Sequence, residues 1–320
     1  MWKLLNYVKN NLIVAIPGSM LLGFALGLAL PDVSVKTLIV PFTFMMVYPM
    51  MVTLKIDKVF EGDDVKSQIL TQILNFAVIP FIAFGLGLIF FKDAPYLALG
   101  LLLVGIIPTS GMTISWTGFA KGNIEAAVKM TVVGLVLGAV ATPFYVQYLM
   151  GAEIEVNAPA VAKQIVMIAF IPMLAGYATQ RYMIRRFGAK VFKEKWGPKF
   201  PALSTVGVLG IVFVAMWLKA EAIVSSPKLL IDIAIPLLIV YAVNYTLSTV
   251  IGRLFLVKRD SIALVYGSVM RNLSIALAIA INAFGPQGST AALVIAVAFV
   301  VQVQSAAWYT KFTTAIFGRD

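Results

Sequence analysis

The sequence predicts an all-α polytopic membrane protein, a single transmembrane transporter domain spanning residues 1–320. Three observations predict it. Hydrophobic residues make up 61% of the chain, charged residues only 12%, and mean hydropathy is +0.95, more apolar surface than a soluble fold of this length can bury. Apolar stretches of about 20 residues, enough to cross roughly 30 Å of hydrocarbon at about 1.5 Å per residue, recur from end to end. These runs do not alternate as barrel strands do, and lipid offers no partner to a bare backbone, so helices remain.

Ten spans are read, near residues 12–30, 37–54, 69–91, 94–119, 124–150, 160–184, 201–219, 229–252, 260–284 and 290–316. The first follows a short basic start, Met1 to Lys9, but it holds Pro17 and is followed by further spans, so it reads as a span rather than a secretory signal. Counted on alternate sides of these spans, eighteen Lys and Arg fall on the side of the N-terminus and five on the other, with Lys129 and Arg271 inside spans. The bias puts the N- and C-termini in the cytoplasm and supports an even number of spans. Topology thereby accounts for the net charge of +11, and nucleic acid is not an expected partner. A chain this short, read as lacking extensions, fits a prokaryotic inner (plasma) membrane.

A basic cytoplasmic connection, 181–199, separates a first part (1–180, spans one to six) from a second (200–320, spans seven to ten). It lies close to the middle of the chain. Ten spans form two sets of five, and five is odd, so homologous halves would lie in opposite orientations, the inverted-repeat plan of secondary carriers. No clear residue-by-residue repeat is visible.

Spans four and nine, at corresponding positions of the two halves, carry polar, helix-disfavouring clusters at membrane depth. In span four, Pro108, Thr109, Ser110 and Gly111 follow an apolar run of about three turns, and Pro108 removes a helical hydrogen bond. In span nine, Gly267, Ser268, Arg271, Asn272 and Ser274 lie at a similar depth. Unpaired backbone there is tolerated only against protein or a wet cavity, where it can bind a solute. Breaks are therefore expected near 107–111 and 267–272, approaching one another. Arg271 carries a charge that costs about 2.5–3.5 kcal/mol to insert at the bilayer centre. Asp232 and Glu125, the nearest candidate partners, lie near span ends, so an anionic ligand suits it. Lys129 reads as paired with Glu125 one turn earlier and snorkelling to the surface. Asn75, Gln302 and Gln304 read as interhelical hydrogen bonders.

At these residues the sequence resembles the bile acid:sodium symporter superfamily (the bile acid, arsenite and riboflavin transporter group), along essentially the whole chain. The resemblance rests on MMVYPMM at Met45 to Met51, on the Pro108 segment ending in FAKGNIEAA at Phe119 to Ala127, and on MRNLSIALAIA at Met270 to Ala280. It implies ten helices in two inverted five-helix repeats, a panel and a core domain, and broken, crossing helices four and nine. In the sodium-coupled branch two sodium ions bind around the crossing. The resemblance puts Asn75, Thr113 and Thr131 at retained oxygen-ligand positions, with Ser268 a further ion-site-like position. Ile114, Ala127 and Gly267 stand where the pattern has Asn, Ser and Glu, and Arg271 replaces a Gln. The sodium cage therefore reads as dismantled, and transport without sodium is expected, with a proton the remaining candidate for coupling. The arsenite branch is closer around Met45 to Pro49, Met112 and Trp116. Its cysteine after Pro108 is Thr109 here, however, its acidic residue in span nine is Ser274, and the chain has no cysteine to offer arsenic a soft thiolate.

The expectation is a secondary active transporter of a small organic anion or weak acid, with Thr109, Ser110, Gly111, Arg271 and Asn272 binding the solute. Arsenite efflux is the alternative, and a membrane sensor or channel the alternative of a different class. With no His, no Cys and no paired midspan carboxylates, an enzyme is not expected, nor a cofactor or bound metal.

Overall fold

The computed structural model describes residues 5, 7–8, 11–53, 64–154, 156 and 158–318. Among these the secondary structure is helical throughout. The elements are α1 (Leu12–Ala29), α2 (Ile39–Val52), α3 (Val65–Phe90), α4 (Pro95–Ile106), α5 (Gly111–Phe119), α6 (Ile124–Met150) and α7 (158–187). They continue as α8 (Lys199–Ser225), α9 (Lys228–Phe255), α10 (Lys258–Val269), α11 (Leu273–Ala283) and α12 (Gly288–Phe317). Among the described residues six helical stretches are long and apolar enough to cross a bilayer: Val65–Phe90, Ile124–Met150, Ala189–Glu221, Lys228–Phe255, Lys258–Ala283 and Gly285–Phe317. Val14–Ala29, Lys36–Val52 and Pro95–Ile106 are shorter apolar helices. Val14, Leu21, Val40, Ile89, Phe144 and Leu254 stand exposed on the outside, the side chains that lipid would cover.

The helices pack in two groups. α8 packs on α1 and α2, and α7 packs on α2, while α3 to α6 and α9 to α12 pack on one another. The first group is drawn close by small residues, as membrane helices are. A Cβ at Gly23 of α1 would lie 2.3 Å from the Phe213 carbonyl oxygen of α8. The groups meet where α8 and α1 touch α12 and where α7 and α2 touch α11. There Lys219 Nζ of α8 donates to Thr290 Oγ1 of α12 at 2.9 Å.

Prolines shape two of the long helices. A π-helical turn at Leu74–Val78 precedes Pro80 in α3, and another at Val166–Phe170 precedes Pro172 in α7. Pro offers no N–H and crowds the turn before it, so the turn widens there.

The basic stretch 181–199 is mostly helical. α7 runs on through Phe187, Gly188 turns at φ +84, and helical turns follow over Ala189–Val191 and Phe192–Trp196. Charge bars a segment from lipid, but Arg, Lys and Glu are good helix formers.

Candidate transport site at two broken helices

The span-four break starts from Pro108. Its ring excludes the preceding residue from the helical region, and Ile107 is extended at φ −92, ψ 92. Thr109 follows at φ +56, left-handed backbone that costs a β-branched residue about 1–2 kcal/mol. Its hydroxyl donates to the Thr131 carbonyl at 3.3 Å, and Gly134 and Gly138 of α6 back the break. A Cβ at Gly134 would lie 2.6 Å from Thr109 Oγ1, and one at Gly138 2.9 Å from Pro108 Cδ. Ser110 restarts the helix as a capping box: Ser110 Oγ accepts from the Met112 amide and Thr113 Oγ1 from the Ser110 amide, both at 3.2 Å. Gly111 is the first residue of α5. The FAKGN motif that ends α5 is a tight turn. Lys121 sits at φ +59, and Asn123 caps α6 through the Ala126 amide while its Nδ2 donates to Asp260 at the start of α10.

In span nine the helix holds through Val269, so Gly267 and Ser268, expected in the break, are helical and the interruption is confined to 270–272. Asn272 Oδ1 caps α11 through the Ile275 amide at 3.3 Å. The two breaks touch through the main chain, the Asn272 amide donating to the Ile107 carbonyl at 2.9 Å. Gln302 of α12 splints the opened backbone of Arg271. Its Oε1 accepts from the Arg271 amide at 2.8 Å, its Nε2 donates to the Arg271 carbonyl at 3.2 Å, and Tyr241 donates to the same Oε1 at 2.9 Å.

The Arg271 side chain is 2% exposed. Nη1 donates to Asn75 Oδ1 at 3.0 Å, and Asn75 Nδ2 donates to the Gly267 carbonyl at 3.0 Å. Arg271 Nη2 and Asn272 Nδ2, donors on adjacent residues of the break, are buried without a partner. Each such group costs about 1–3 kcal/mol unless something accepts from it. No carboxylate of the described residues pairs with Arg271.

The chain matches the family described as the Sodium Bile acid symporter family over residues 40–226. The chain belongs to the Sodium Bile acid symporter family. Its members are transporters, so this is a multi-pass membrane protein that carries a small solute, and catalysis is not the family's work. Relatives within reach include the arsenical-resistance protein Acr3 of Alkaliphilus metalliredigens, 25% identical over 258 residues, 73% of this chain and 72% of the relative. The Acr3 protein of Corynebacterium glutamicum is 24% identical over 77% of this chain and 70% of its own. A sodium-dependent transporter of Bacillus subtilis, YocS, itself uncharacterized, is 24% identical over 68% of this chain and 65% of its own.

The oxygens expected to remain from the symporter family's ion site all have partners within the chain. Asn75 Oδ1 accepts from Arg271, Thr113 Oγ1 serves the Ser110 cap, and Thr131 Oγ1 donates to the Ala127 carbonyl at 2.7 Å. Ser268 Oγ donates to Asn244 Oδ1 at 2.6 Å, and Asn244 Nδ2 returns a bond to the Ser268 carbonyl at 3.1 Å. Asn244, Tyr241 and the splinting role of Gln302 were missed in the sequence. An Asn in the middle of apolar span eight was the available signal. At Gly267 a Cβ would lie 2.6 Å from Met130 Sδ and 3.2 Å from Thr71 Cγ2, so a longer side chain has no room without repacking. Lys129 does not pair with Glu125 or snorkel. It is 5% exposed and bound to Asp64 at the start of α3, while Glu125 is exposed. A buried ammonium needs a desolvated carboxylate, and an exposed one a turn away does not serve.

Proposed function

We propose that the protein is a secondary active transporter of a small organic anion or weak acid that works without a complete sodium site. Its proposed frame is ten transmembrane helices in two inverted five-helix repeats, the broken fourth and ninth helices crossing at the solute site, with both termini in the cytoplasm of a prokaryotic cell. The observation that carries the reading is the pair of buried donors without acceptors, Arg271 Nη2 and Asn272 Nδ2, on consecutive residues of one break that is bonded through the Asn272 amide to the other. A carboxylate or sulfonate supplies acceptors for both and a charge for the guanidinium. In this reading Thr109, Ser110 and Gly111 supply the opposite wall of the site.

The Arg271 guanidinium donates to Asn75, at a sodium-ligand position by family resemblance, and a fixed cation there repels sodium and replaces its charge. A proton is then the candidate coupling ion. Arsenite efflux is the second reading, favoured by the two Acr3 relatives and opposed by the absence of any cysteine. Uptake into proteoliposomes of carboxylates, sulfonates and arsenite, under separate sodium and proton gradients, tests both. Saturable sulfonate or carboxylate uptake that ignores sodium, with affinity lost in Arg271→Gln, is the expected result. Transport of arsenite alone, or strict sodium dependence, overturns it.

A further inference from the structure

Two charged side chains are buried among the described residues, and they are treated differently. Lys129 is neutralised by Asp64, whereas Arg271 has only the neutral Asn75 against Nη1 and nothing against Nη2. The apolar stretch of Lys258–Ala283 around Arg271 is wholly enclosed by protein, so water does not solvate the guanidinium in this conformation. We propose that the carrier works chiefly as an anion exchanger, moving one anion in as another moves out far faster than it moves either alone, an inference that rests on the anion reading of this site.

Alternating access requires a conformation in which the site is closed to both sides. Without a bound anion, closing it leaves Arg271 as an uncompensated charge in a dry interior, the arrangement that costs most when a buried ion loses its partner. With an anion accepting from Nη2 and from Asn272 Nδ2, the guanidinium charge is compensated and both donors are satisfied. The loaded form therefore crosses quickly and the empty form slowly. A carrier whose empty return is slow gives rapid exchange and poor net uptake. In a sodium-coupled relative the departing ion takes its charge away. Here the cation is part of the chain and cannot leave, so a second anion must neutralise it for the return.

The test uses the full-length protein in proteoliposomes with labelled succinate, methanesulfonate and benzenesulfonate, the membrane potential clamped at zero by potassium and valinomycin. Each label is taken up into vesicles preloaded with the same unlabelled anion, and into vesicles without it. Exchange is expected to exceed net uptake by about tenfold or more for the transported anion. Arg271→Lys should keep that bias, and Arg271→Gln, assayed at anion concentrations raised to offset its lost affinity, should bring the two rates together, because no charge then waits to be cancelled. Equal rates in the unmodified protein overturn exchange while leaving the anion reading intact, and this measurement stands even if a variant fails to fold. No flux of any of the three anions in either mode overturns the anion reading and the exchange with it.

Discussion

Replacing Arg271 by Met separates a residue retained for function from one that braces the fold. The main-chain bonds of Arg271 to Gln302 do not involve its side chain, so the splint survives. What is lost is the Nη1 bond to Asn75 Oδ1, which strands one buried acceptor at about 1–3 kcal/mol. What is gained is removal of an unpartnered Nη2, about 1–3 kcal/mol by the same measure, together with an unpaired buried charge that costs several kcal/mol more. Met fills much of the space with a flexible apolar chain. The two hydrogen-bond terms cancel, and replacing the buried charge by an apolar chain favours the variant by about 1–4 kcal/mol, a rise in Tm of roughly 2–6 °C for a chain of this size. Thermal unfolding of detergent-purified protein, followed by size exclusion, measures it, and transport should be abolished in the same preparation. A Tm lowered by more than about 3 °C would refute the reasoning, because Arg271 would then be holding helices together.

Asp64→Asn should destabilise the protein by about 3–5 kcal/mol by stranding buried Lys129, with most of the loss recovered when Lys129→Met is added, as thermal denaturation of the single and double variants would record. Gly138→Ala should cost about 1–3 kcal/mol, because its Cβ meets the stiff ring of Pro108 at 2.9 Å. Gly85→Ala, with nothing within 4 Å, should be neutral or stabilising by up to about 1 kcal/mol on the same assay. Replacing external sodium by choline should leave initial uptake rates in proteoliposomes unchanged, and a saturable sodium response would restore the ion site that Gly267 and Arg271 argue against.

The breaks were legible because their causes are local. Pro108 must disturb its own helix, and Gly, Ser, Arg and Asn gathered at one depth weaken another, so both interruptions were expected within a residue or three of where they fall. The extent of the second was overestimated, since Gly267 and Ser268 stay helical while Asn244 bonds Ser268 from a neighbouring helix. That support spans 24 residues of sequence, the Arg271–Asn75 bond 196 and the Gln302 splint 31. Pairings of this kind belong to packing and leave no local trace. Lys129 is the opposite lesson. A helical neighbour four residues away offered a ready partner, but burial chose the carboxylate that could be desolvated with it.

The bond between the Asn272 amide and the Ile107 carbonyl has a consequence for how such a carrier can change over time. The joint between the two interruptions is made of atoms that every residue except proline possesses, so it is indifferent to the identity of the side chains around it. Thr109, Arg271 and their neighbours can be exchanged one at a time without unfastening the frame, provided Asn272 is not replaced by proline. Cargo and coupling can thus drift while the architecture stays fixed, a route by which chains near 25% identity to arsenical-resistance proteins could come to serve different solutes.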